Sequence, residues 1–140
     1  MVCEFAPCSI EHGNLDYCFE CEEYPCEKYD GVDLHDSLIS HRNQKKDMEK
    51  AKRIGIENYR KEQMLKKEIL NRLLAEYDTG RREVFFCLAV NLLELDDLEI
   101  ILKEADEQTV NMTLNDKSDV MKKELNECGE RRNIELKLRR

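Results

Sequence analysis

The chain has no tryptophan, two prolines, five glycines and only 6% aromatic residues among its 140. The absence of tryptophan, together with a charged fraction of 39%, suggests long, solvated helices rather than a compact sandwich. No apolar run approaches the roughly 18 residues that a membrane-spanning helix requires. Met1-Val2-Cys3-Glu4-Phe5 carries no basic stretch and no apolar stretch of the secretory kind. Surplus positive charge is missing too. The formal net charge is −8, which opposes general affinity for nucleic-acid phosphates. Ser/His/Asp arrangements, phosphate-cradling glycine loops and HExxH pairs do not occur. Internal repeats and low-complexity tracts are likewise missing. A cytoplasmic, non-catalytic protein with reduced thiols is the expectation.

Charge is abundant, at 39% of residues, and unevenly placed. Residues 1–31 carry net −7, residues 41–83 net +5 and residues 84–140 net −4. The acidic start and the basic middle are natural electrostatic partners, within one chain or between copies.

Cysteine is the other excess. Five of seven fall within the first 26 residues, as Cys3-x4-Cys8-x9-Cys18-x2-Cys21-x4-Cys26. Four converging thiolates satisfy a tetrahedral Zn²⁺. Cys18-x2-Cys21 has the spacing of a knuckle that directs two sulfurs at one ion. Cys3, Cys8 and Cys26 compete for the remaining positions. An iron–sulfur cluster also takes four thiolates and is the alternative cofactor. A dithiol redox role is disfavoured, because Glu20, Glu22 and Glu23 raise a thiol pKa and no strand precedes the motif. His12 lies inside the block and is either a substitute ligand or a solvent-exposed loop residue. Both prolines, Pro7 and Pro25, fall here, so the block reads as irregular loops, with a short helix opening after Pro25.

From Asp33 onward the pattern is helical, giving a mainly α fold: a small Cys-rich module over 1–31 packed on a body of about five helices over 32–140. The periodicity predicts helices from about Asp33 to Ile54, stopped by Gly55, and from about Ile56 to Tyr77. The second carries Leu65, Ile69 and Leu73, with Leu70 and Leu74 beside them. Val84 to Leu93 predicts a buried helix that uses Cys87 in its core. Asp96 or Asp97 is expected to cap the next helix. Thr109 to Leu114 is the one candidate extended segment. A last helix is expected from about Asp116 or Ser118, with Cys128 a candidate for exposure and a frayed tail beyond Gly129.

The run Arg42 to Arg53, with Arg60, Lys61, Lys66 and Lys67, is either a solvated helix face or, less in keeping with its interrupting acids, a nucleic-acid face. A helix-turn-helix over about 81–105 would serve that regulatory alternative. The broad stripe on 65–74 and the apolar 84–93 helix both need covering. Either a second copy does so, giving a homo-oligomer, or the helices near 98–105 and 118–128 do.

Cys3-Glu-Phe-Ala-Pro-Cys8 followed by Cys18-Phe-Glu-Cys21-Glu-Glu-Tyr-Pro-Cys26-Glu-Lys-Tyr29 resembles the prokaryotic cysteine-rich family called domain of unknown function 3795. Arg42 to Glu57, with Ile54-Gly55 and then Tyr59, extends the resemblance to about residue 65. It implies a cytosolic metal-binding protein and no particular reaction. The expected role is a structural zinc module that mediates contacts with a protein partner.

Overall fold

A computed structural model describes residues 3–139. Met1 and Val2, part of the N-terminal reading above, lie outside the described residues, as does Arg140. The protein is mainly helical. The described residues form α1 (Phe5–Glu11), α2 (Gln44–Ile54), α3 (Ile56–Glu76), α4 (Glu83–Leu92), α5 (Leu95–Gln108) and α6 (Leu114–Arg131), with no strand among them. Two compact units divide inside α3, one ending at Tyr59 and one beginning at Arg60.

The first unit takes in the cysteine block, a loop and α2. Short 3-10 turns punctuate the block, at Cys18–Glu20 and Glu27–Tyr29. The helix expected from Asp33 forms only from Gln44. Side-chain hydrogen bonding explains the loss. The Asp36 carboxylate accepts from the Ser40 hydroxyl and the His41 amide, both at 3.0 Å. Short polar side chains that bond nearby backbone offer the chain an alternative to helix. Asp36 is also 3.6 Å from the Arg42 guanidinium, with both side chains buried. His41, expected on a helix face, lies in this loop with Nε2 2.9 Å from the Ser37 hydroxyl. α2 then stops where the sequence says, at Gly55, whose φ of 86° suits a residue without Cβ.

The second unit is a helical core. Ile69, Leu73, Tyr77, Phe86, Ala89, Val90, Leu93, Leu98, Ile101, Leu102, Ala105, Met121, Leu125 and Cys128 form one buried cluster. The stripe on α3 is therefore covered within the chain at Ile69 and Leu73, with Leu70 and Leu74 packed at its edge and Leu65 exposed. Helix α4 is buried as expected, yet Cys87 is exposed. Phe86, Ala89, Val90 and Leu93 take the inward positions, at i, i+3, i+4 and i+7, which turns Cys87 outward. Cys128 is buried rather than exposed, because it continues the face of Met121 and Leu125.

Helix α5 begins after Glu94, so neither Asp96 nor Asp97 is its cap. The segment from Thr109 is a turn, not a strand, and Thr113 caps α6 by accepting from the Asp116 amide at 3.3 Å. The tail does not fray at Gly129. Ile134 and Leu136 pack against the core, and the Ile134 amide donates to the Gly129 carbonyl at 2.7 Å.

Candidate metal centre

Cys8, Cys18, Cys21 and Cys26 line a single cavity of about 30 Å³ in the first unit. Three local devices present them. Cys8 projects from α1, and Cys18 opens a 3-10 turn that places Cys21 at its end, with the Cys21 amide donating to the Cys18 carbonyl at 3.1 Å. The Glu20 carboxylate accepts from the Asp16 and Tyr17 amides at 3.1 and 3.0 Å, which ties the knuckle to the preceding loop. Cys26 sits before the second 3-10 turn, and its carbonyl accepts from the Tyr29 amide at 3.0 Å. Cys3 is exposed and does not line the cavity. Of the five cysteines singled out by spacing, four thus come together and one stays apart. Among the described residues, no three Cys, His, Asp or Glu side chains stand arranged to hold an ion as they are.

His12 also lines the cavity. Its Nδ1 lies 2.9 Å from the Cys8 carbonyl oxygen and 3.6 Å from the Cys8 sulfur. Its Nε2 is 3.4 Å from Glu23. The hydrogen bond to the Cys8 carbonyl, with help from Glu23, raises its pKa above the usual histidine range. Both nitrogens are thus engaged by neighbours.

The remaining lining was not foreseen from cysteine spacing. Phe5, Tyr24 and Tyr29 form an aromatic wall, and Lys28 supplies a cation. The Tyr29 ring lies 5.0 Å from that of Phe5 and 5.1 Å, edge-on, from that of Tyr24. Such contacts add about 0.5–1.5 kcal/mol each beyond the area they bury, so Tyr29 anchors this small unit. A signal was present in the sequence: five of the nine aromatic residues interleave with the first five cysteines or follow them directly. The Cys8 thiol is pushed up by desolvation and by neighbouring Cys26, Cys21 and Glu11, and Lys28 opposes the rise.

Tyr29 is only 2% exposed, and its hydroxyl has no partner of hydrogen-bond geometry. Cys18 lines the same cavity and, after burial itself, is the group that bears most on the phenol. Burial first, and then Cys18, push the phenol well above its ordinary pKa. A buried hydroxyl left unpaired costs about 1–3 kcal/mol, so this one marks a place where a partner belongs.

Comparisons with protein-family models, curated proteins and solved structures return no match. Elsewhere, a groove of about 490 Å³ runs between α3 and α5, lined by Leu65, Ile69, Leu102, Arg72 and Asp106 among others. Its chief polar groups are already committed: Arg72 donates to Asp106 at 3.0 Å and to Glu76 at 2.7 Å. In the basic stretch, Lys66 is buried. No helix among the described residues is long and apolar enough to cross a membrane.

Proposed function

We propose that the first unit is a structural zinc module, with Cys8, Cys18, Cys21 and Cys26 as ligands, serving as a non-catalytic platform for a protein partner. One observation carries the reading: four thiols from three separate local elements line one cavity. A closed set of four cysteine thiolates is the usual makeup of a structural zinc site. Four thiolates on a divalent ion leave net negative charge, and Lys28 at the cavity edge offsets part of it. Binding draws the sulfurs inward and releases their protons, so folding of the unit and metal uptake are coupled.

The partner reading rests on the loop that replaces the expected helix. Leu34, Leu38 and Ile39 are exposed there, Leu38 at 95%. The loop is pinned by Asp36, Ser40, His41 and Arg42 rather than free. A pinned loop that presents three apolar side chains to solvent is suited to insertion into another protein's apolar pocket.

The test is metal analysis of protein purified without added metal. About one zinc per chain is expected, kept by Cys3→Ser and lost from Cys8→Ser, Cys18→Ser, Cys21→Ser or Cys26→Ser. Folded protein that takes up no zinc, with all five N-terminal thiols open to alkylation, overturns the reading. A brown protein absorbing near 400 nm replaces it with the iron–sulfur one.

A further inference from the structure

We infer that the Tyr29 hydroxyl serves as hydrogen-bond donor to the Cys18 sulfur once that sulfur is a metal-bound thiolate. This makes Tyr29 a positioning residue of the site, and the inference rests on the metal reading above.

The ring has little freedom. Phe5 and Tyr24 hold it from two sides, and the peptide amide of Tyr29 is bonded to the Cys26 carbonyl at 3.0 Å. Tyr29 lines the same cavity as the four thiols while its hydroxyl is buried without a partner. A buried phenol in an otherwise apolar wall is normally bonded, and phenylalanine fills the same space without the desolvation cost. The oxygen therefore has a task. A thiol is a weak acceptor and a metal-bound thiolate a strong one, because the sulfur then carries charge. Conversion of Cys18 to a thiolate turns its sulfur into the acceptor that the hydroxyl lacks. Partners of this kind orient the ligand and lower the proton's competition for it, and their loss commonly costs about 10–100-fold in metal affinity.

Tyr29→Phe removes the oxygen and keeps the ring. In zinc-loaded protein, loss of metal to a chelator is expected to quicken about tenfold, and the pH midpoint of metal release to rise. In cobalt-substituted protein, the sulfur-to-cobalt charge-transfer band should shift between wild type and variant. A second measurement needs no variant. With ¹¹³Cd in the site, the Tyr29 hydroxyl proton should exchange slowly and show scalar coupling to the metal through sulfur. Unchanged release rate, pH midpoint and band in Tyr29→Phe, with no coupled proton in the cadmium protein, overturn the role of Tyr29 and leave the zinc site standing. A wild-type chain that binds none of the three metals overturns both.

Discussion

Arg132 and Asp97 stand 35 residues apart in sequence and meet in a fork: the guanidinium Nε and Nη2 donate to the two carboxylate oxygens at 2.9 and 2.8 Å. The pair ties the segment after α6 back to the first turn of α5. It holds in place the tail that carries Ile134 and Leu136 onto the core.

The hydrogen bonds from Arg132 hold the Asp97 carboxyl below its usual pKa, against a smaller opposing effect of burial. A carboxyl depressed on folding contributes stability that is fully present above its unfolded pKa of about 3.9. That contribution disappears as pH falls through the lower, folded value. Arg132→Gln should therefore lower the melting temperature modestly at pH 7, with the gap from wild type closing as pH falls below about 3.9. Equal melting temperatures for the two proteins at pH 7 would show that the fork contributes nothing.

Asp106 is more deeply committed. It accepts from the buried Tyr77 hydroxyl at 2.6 Å and from Arg72 at 3.0 Å. Burial raises its pKa, but Tyr77 and Arg72 together outweigh that and lower it, while burial and Asp106 push the Tyr77 phenol up to about 12. Asp106→Ala strands a fully buried phenol and should cost about 1–3 kcal/mol in urea unfolding. Tyr77→Phe leaves Arg72 on the carboxylate and should cost less, about 0.5–1.5 kcal/mol. The reverse order would be fatal to this account.

Gly129 lies within α6, where alanine ordinarily stabilises by about 1 kcal/mol. Here a Cβ would stand 2.6 Å from the Ile134 carbonyl oxygen and 3.3 Å from the Leu136 side chain. Backbone cannot yield as a flexible side chain does. Gly129→Ala should thus destabilise by about 1–3 kcal/mol, and loosen the tail, despite its better helix propensity. Chemical denaturation alongside hydrogen exchange at Ile134 measures both effects; a gain in stability would refute the clash.

Cys87 and Cys128 should differ sharply towards a thiol reagent. Burial raises the pKa of both thiols, but Cys87 is exposed and Cys128 is 1% exposed. Native protein should take label at Cys87 within the time of exposed thiols and at Cys128 only on unfolding. Mass spectrometry of labelled peptides reads the order, and early labelling of Cys128 would place α6 in the wrong register.

Local pattern was enough to read much of this protein. Apolar spacing at Ile69 and Leu73 and across Val84 to Leu93, the stop at Gly55, and the clustering of thiols are all properties of neighbouring residues, and each survives folding. Metal-ligand candidates were legible because cysteines so dense in sequence have few places to go. Tertiary structure decided the rest. Which side of α4 faces inward depends on its packing partners, and so does the inward face of α6; packing moved Cys87 out and Cys128 in. Asp36 broke the expected helix by bonding Ser40 and His41, a choice between two local hydrogen-bond schemes that the buried pair with Arg42 completes. Cys3 was separated from its four companions, and Lys28 and Tyr29 were brought to them, by loop geometry that spacing does not encode. Sequence distance determines which groups are near enough to compete, but only the closed chain determines which are buried together.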